Sequence, residues 1–379
     1  MKRHSERVTG VRRFPQLLAL LVLGTLNCSY AADCDLTDIR CSPLLTYHLF
    51  LRERVSKFAY VTNSTANTVS MYSMNRHNGG LTLIDTVATG ASPSMVFVES
   101  RGRFAYVTNQ NTDTITVFRI NQDSGRLTTI QVIPTLSSPN GFAMAPSGRF
   151  AYAANTGNST VSAYTVDSTS GELTINGANV AAVGSTRGIC VDPTSRYVYT
   201  AEGSSNTISM FAINSNGTLS SMGTAATTGN LPPHVSLDPQ GRFAYAANTG
   251  TNDVTTMSVD PNTGGLTSID TDSAGPSPYF VMTDPTGRFA YAANYGGSSL
   301  AMYTVNQQTG HLTFINNIAS GAGPFFMAFD STGQFAYSAN QTSGNISIYR
   351  IDQTSGVLTQ INEVAAQAGA QGIAVATFY

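Results

Sequence analysis

Arg187, Glu202 and His234 are the residues whose types and positions in this sequence best suit acid–base or anion chemistry, and each is visible because it interrupts a pattern. A recurrent segment closes on asparagine at 63, 109, 155, 248, 294 and 340, and in one copy on Glu202 instead. The segment before it opens on proline at 93, 139, 232, 278 and 324, whereas the same deviant copy reads Thr186-Arg187-Gly188. One copy further on, Pro233-His234 puts an imidazole where the others carry Met95, Gly141, Gly188, Phe280 and Phe326. A guanidinium can hold a carboxylate or phosphate and stabilise a developing oxyanion, a carboxylate can activate water, and an imidazole can share in proton transfer. The plainer reading is that Arg187 and Glu202 satisfy each other and that His234 fills a gap in the packing.

What must position these groups is a repeat. An aromatic-x-Tyr signature begins at Phe58, Phe104, Phe150, Tyr197, Phe243, Phe289 and Phe335, with spacings of 46, 46, 47, 46, 46 and 46 residues. One period, residues 278–320, reads as four strands, PYFVMTD, RFAYAAN, SLAMYTVN and HLTFINNIA, separated by a PTG turn, a Gly/Ser loop and a QQTG turn. Alternation in Phe289-Ala290-Tyr291-Ala292 and Leu300-Ala301-Met302-Tyr303 has period two, and helical periodicity is absent from the repeats. The Asp-Pro-x-Gly units at 238–241 and 284–287 suit tight turns between strands one and two, because Pro pre-sets φ and Gly tolerates positive φ. Periods of about 40–50 residues holding four strands mark propeller blades, since one small sheet cannot bury both faces without a neighbour on each side.

The sequence therefore predicts an all-β, seven-bladed β-propeller over residues 58–379 with four antiparallel strands per blade. Six first strands lie inside the repeats, and the seventh is predicted at 372–378, where the C-terminal strand would complete blade one. Residues 47–55 are the rival for that slot, although they carry Arg52, Glu53 and Arg54 and lack the preceding turn. Antiparallel pairing sets the start of strand one beside the end of strand two, so Arg187 and Glu202 are expected as an adjacent pair at one mouth of the central channel.

Residues 1–31 read as a cleavable leader. Lys2, Arg3, Arg7, Arg12 and Arg13 precede an apolar stretch at 17–26, too short to span a bilayer, and a small-x-small site follows at Ser29-Tyr30-Ala31. The expectation is a periplasmic or secreted protein with no stable membrane span after cleavage and with residues 32–57 as an N-terminal extension. In an oxidising compartment Cys34 and Cys41 can close a short disulfide loop, and Cys190, inside a predicted strand, is expected as a buried thiol. Charged residues make up 11% of the chain against a usual figure of about 25%, and the formal net charge is -2 with no Lys/Arg cluster after residue 60. Nucleic acid is excluded as a partner for want of a basic footprint. His-Glu-x-x-His, paired Cys-x-x-Cys, Gly-x-Ser-x-Gly and Gly-Lys-Ser/Thr motifs are all absent.

The tracts FAYVTN at 58–63 and 104–109, with TVSMY at 68–72 and TVSAY at 160–164, resemble the YVTN-type propellers of the lactonase family, which includes 6-phosphogluconolactonases and muconate cycloisomerases. The resemblance runs through all seven repeats. It implies a hydrolase that opens a small, sugar-type lactone at the channel mouth, and it matches Arg187 and Glu202 to the family's Arg and Glu. The sequence departs from the family at Thr186 in place of Pro and at Gly188 in place of His. It departs again at Pro139-Asn140-Gly141-Phe142, where members have a His-containing segment, and at Asn248-Thr249-Gly250, where they carry a second Arg.

Asn155, Asn248, Asn294 and Tyr279 are the candidate substrate-binding residues, with Tyr295 and Phe325 beside them. Asparagine at a strand end also bonds its own backbone two residues on, which explains its recurrence without any ligand. No cofactor is expected, the alternative being Ca²⁺ held by Glu202 with Asn155 and Asn248, since that hard cation favours oxygen ligands. The expected partner is a small lactone or carbohydrate. The departures favour an alternative, a non-catalytic envelope propeller that holds a ligand or protein partner on a rigid face.

Overall fold

A computed structural model describes residues 57–377. The predicted leader at 1–31, the predicted extension as far as residue 56 with Cys34 and Cys41, and the rival segment 47–55 lie outside the described residues. Seven antiparallel sheets follow one another along the chain, each a meander of neighbouring strands. Blade four, for example, runs Thr186–Val191, Tyr197–Glu202, Thr207–Ile213 and Leu219–Thr227. Blade three alone has its outer strand split, into Leu173–Ile175 and Val180–Ala181. Blade one takes its inner strand from the chain end: Ala370–Thr377 pairs with Lys57–Asn63, Phe58 lying opposite Ala376 and Tyr60 opposite Ala374. The predicted C-terminal latch is present.

Second strands are buried on both faces, as FAYAAN at Phe243–Asn248 is, because each is sandwiched between neighbouring blades. The hydrophobic core accordingly lies between sheets; Tyr60, Val69 and Met71 of blade one pack with Val96, Val107 and Phe118 of blade two. The aromatic-x-Tyr signature has a specific task there. Each Tyr hydroxyl donates to the carbonyl of a turn glycine in the next blade, Tyr60 to Gly125 at 3.0 Å, Tyr199 to Gly264 at 2.6 Å and Tyr291 to Gly356 at 2.8 Å. The aromatic residue two positions earlier covers the same glycine, and a Cβ on Gly125 would lie 2.4 Å from the Phe58 ring. Tyr337 donates to Gly79 at 3.0 Å, which joins blade seven to blade one and closes the ring.

The Asp-Pro-x-Gly turns form as expected. Asp238 accepts from the backbone amides of Arg242 at 2.5 Å and Phe243 at 3.0 Å, and Gly241 sits at φ +68°.

Candidate functional site

The inner strands open irregularly, and this places the candidate groups. In blade four Thr186 pairs with Glu202 but regular pairing resumes only at Ile189, so Arg187 and Gly188 bulge out of the ladder. The same break follows Pro93, Pro139, Pro278 and Pro324, and Ala370 on the C-terminal strand. A bulge re-aims side chains that regular alternation would send between the sheets. The positions turned out this way are Ser94, Asn140, Arg187, Tyr279, Phe325 and Gln371, one per blade except blade five.

These side chains form a connected ring at the channel mouth. Gln341 Nε2 donates to Gln371 Oε1 at 3.3 Å, Gln371 Nε2 to Ser94 Oγ at 3.2 Å, and Ser94 Oγ to Asn140 Oδ1 at 3.4 Å. Tyr279 completes the arc through its hydroxyl, which contacts the Asn140 and Arg187 side chains; burial raises its pKa, and the Arg187 charge opposes that rise. Its ring packs 3.8 Å from that of Phe325, which meets Tyr295 edge-on at 5.8 Å. One arc of the mouth is thus amide and guanidinium and the other aromatic.

Arg187 is partly exposed, yet its Nε is buried and has no hydrogen-bond partner. The expected pairing with Glu202 does not form. Glu202 is fully buried and accepts from Thr186 Oγ1 at 2.7 Å and Thr200 Oγ1 at 2.5 Å, with Ser209 and the Gly184 backbone also bonded to it. Burial holds its pKa above the usual carboxylate range, the hydrogen bonds opposing that rise in part. Gly203 lies beside the guanidinium, where a Cβ would be 3.8 Å from Arg187 Nε.

The place Glu202 occupies explains the asparagines. Asn63, Asn109, Asn155, Asn248, Asn294 and Asn340 are fully buried. They bond across to the third strand and not to their own backbone two residues on. Asn155 Nδ2 reaches Thr160 Oγ1 at 3.3 Å and Ser162 Oγ at 2.8 Å, Asn248 Nδ2 reaches Asp253 at 2.6 Å and Thr255 at 2.8 Å, and Asn294 Nδ2 reaches Ser299 at 3.2 Å. Glu202 takes the same slot as an acceptor, so the hydroxyls around it turn to donate. Asn155, Asn248 and Asn294 therefore serve as clasps within their blades, and of the four candidate binding residues Tyr279 alone stands in the mouth ring. Among the described residues no group of three or more His, Cys, Asp or Glu side chains is placed to hold a metal ion.

His234 lies one position deeper than the ring. It is 7% exposed, with its ring centroid 4.3 Å from that of Phe280 and 5.9 Å from that of Phe326. Burial pushes its pKa down to about 3, against the raising effect of a hydrogen bond with the Val281 backbone. Phe280 and Phe326 are 2% and 6% exposed, so with Met95 and His234 they plug the channel beneath the mouth. Below this layer the channel widens into a cavity of ≈ 530 Å³ toward the turns at Pro146, Pro193 and Pro239, and none of the six mouth-ring residues lines it. Gly188 leaves no room for a side chain, since a Cβ there would lie 2.7 Å from His234 Cα.

Asn140, Ser94, Gln371 and Gln341 belong to the mouth but were not among the sequence candidates. For the first three the available signal was their alignment in one column with Arg187 and Tyr279.

Comparison with known proteins agrees with this architecture. A family profile described as Lactonase, 7-bladed beta-propeller matches residues 48–191, 183–283 and 281–374. The chain belongs to that lactonase family of seven-bladed β-propellers. Among solved structures it is similar to a protein of Bacteroides uniformis provisionally named a 6-phosphogluconolactonase, with 19% identity and a TM-score of 0.77 over 85% of this chain and 99% of that one. It is also similar to the periplasmic gluconolactonase PpgL of Pseudomonas aeruginosa, with 18% identity and a TM-score of 0.75 over 86% and 99% of the two chains. The hydrazine synthase of Kuenenia stuttgartiensis shares the fold at 15% identity and a TM-score of 0.60, covering 74% of this chain and 89% of that one. A search of curated protein sequences gave no match.

Proposed function

We propose that this chain is an exported lactonase-type hydrolase that takes a small, sugar-type lactone at the channel mouth. The supporting observation is Arg187, a guanidinium set in the mouth ring with a buried Nε that no protein group satisfies. No carboxylate among the described residues neutralises this guanidinium and the side chain is partly exposed, so it can donate to an acceptor that a ligand brings to the mouth. In this reading Arg187 donates to the lactone carbonyl oxygen and to the oxyanion formed when water attacks it. The ring C–O bond then breaks as one proton of the attacking water passes, through solvent at the mouth, to the ring oxygen; the second proton leaves to solvent as the product acid ionises, and the carboxylate remains opposite the guanidinium. Tyr279 and Asn140 orient the ring, and Tyr279 with Phe325 offers a face on which it can lie. Glu202 acts through Thr186 as a positioning residue. Export to the periplasm or the medium rests on the leader at 1–31, and the periplasmic gluconolactonase among the structural neighbours supports both parts of the reading.

The seclusion of Glu202 and His234 favours a second reading, a propeller that binds a small anionic ligand or an envelope partner without turning it over. The two separate in one experiment, in which purified protein, Arg187→Met and Glu202→Gln are assayed on a panel of sugar and aromatic lactones. The hydrolase reading expects turnover by the parent, a loss of about 10²–10³-fold in Arg187→Met and near-parent activity in Glu202→Gln. Ligand binding without turnover, lost in Arg187→Met, would select the second reading.

A further inference from the structure

The cavity below the plug has a cause in one column of the repeat. Aligned with Phe97 and Met282 are Ala143, Cys190, Ser236, Ala328 and Ala374, and all seven line the wall. Five small side chains at that level leave ≈ 530 Å³ unfilled, within the roughly 300–1,000 Å³ usual for small-molecule sites. The rest of the wall is apolar and adaptable, including Phe142, Met144, Phe326 and Phe329. No Lys, Arg or Glu lines it. The one carboxylate there, Asp238, is occupied by the Arg242 and Phe243 amides and by the Arg242 side chain at 3.3 Å.

The strand His234–Leu237 brings two polar groups to this wall. His234 and Ser236 are 7% and 5% exposed, and His234 Nδ1 and Ser236 Oγ have no hydrogen-bond partner. His234 and Ser236 are the two uncharged polar side chains on a wall that is otherwise almost wholly apolar, and each has an atom without a partner in the protein, so a turn of the Ser236 hydroxyl toward the cavity would let a ligand's hydroxyl or carbonyl pair there. A charged molecule would leave water for a wall with no free counter-ion, which is costly.

We propose that this cavity is a second ligand site, for a small uncharged molecule with an apolar body and one hydroxyl or carbonyl group that meets His234 and Ser236. The layer of Met95, His234, Phe280 and Phe326 separates it from Arg187, so it is independent of lactone opening at the mouth.

Titration of the purified protein with 1-naphthol, naphthalene and naphthalene-1-sulfonate, followed by probe fluorescence, tests the site. The expected result is saturable one-to-one binding of 1-naphthol, about 3–10-fold tighter than naphthalene and about tenfold or more tighter than the sulfonate. Ser236→Ala should bring 1-naphthol down toward naphthalene, Ala328→Leu should weaken both, and Arg187→Met should change neither. Absence of saturable 1-naphthol binding to the folded protein overturns the proposal, as does its loss in Arg187→Met. A preference for 1-naphthol over naphthalene that survives both Ser236→Ala and His234→Phe also overturns it, whether or not the cavity-filling variant folds.

Discussion

Glu202 and His234 owe their behaviour to burial, and that gives each a signed pH dependence. Burial raises the Glu202 pKa above its unfolded value of 4.5, so the fold prefers the protonated acid. Its contribution is fully present below the unfolded pKa and is lost as pH rises through the folded one. Glu202→Gln removes that titration and keeps the acceptor oxygen, so its melting temperature should match the parent near pH 4 and exceed it at pH 8, by roughly 2 °C for each kcal/mol gained. His234 runs the other way. Its pKa falls from 6.5 to about 3, so the fold prefers neutral imidazole, and its contribution is present above pH 6.5 and lost as pH falls toward 3. His234→Phe should flatten the acid limb of the stability profile. Thermal melts from pH 3 to pH 9 check both, and a Glu202→Gln profile parallel to the parent's would contradict the burial argument. Both positions were legible as departures from the repeat. Their seclusion was not: for Glu202 it depends on hydroxyls of Thr186, Thr200 and Ser209 that look like ordinary strand residues in the sequence, and for His234 on the Phe280 and Phe326 rings of the next two blades.

The strand and its neighbouring turn are the elements that convert sequence into geometry here. The aromatic-x-Tyr signature was legible as a repeat mark, and its cause proves to be a contact between blades: Tyr337 on Gly79, and the Phe335 ring 2.4 Å from where a Gly79 Cβ would lie. Gly79 also has φ +71°, so Gly79→Ala adds backbone strain to a clash and should cost about 2–5 kcal/mol. Tyr337→Phe loses only the hydrogen bond and should cost about 0.5–1.5 kcal/mol, or somewhat more because it strands the Gly79 carbonyl. Urea unfolding of the two variants measures both, and equal losses would show that the glycine's conformation is not the constraint. The mouth ring was harder to read for a reason at this same scale. Period-two alternation assigns faces only in regular strands, and the bulges after Pro93, Pro139, Thr186 and Pro278 break that assignment where the mouth column lies.

For the whole molecule, closure of the ring is the main constraint. The blade count and the C-terminal latch were legible because seven near-identical periods leave one inner strand unassigned, and Ala370–Thr377 fills it. Gly372 N–H donates to Thr62 Oγ1 at 2.7 Å, and Thr62 Oγ1 donates to the Ser94 carbonyl at 2.9 Å, so the latch is tied to blades one and two together. Deleting residues 370–379 removes the buried Ile373 and Ala376 and exposes an inner strand edge; the loss of Ile373 alone is worth about 2–5 kcal/mol. The truncated protein should melt far below the parent or fail to fold cooperatively, and a parent-like calorimetric transition would contradict the latch. Whether the closed ring is an enzyme rests on its mouth. The most direct measurement is the ring-opening rate of Arg187→Ala on a lactone that the parent hydrolyses, with and without added guanidinium. The expected result is a loss of about 10²–10³-fold that guanidinium partly restores, and parent-like turnover by Arg187→Ala would contradict the account.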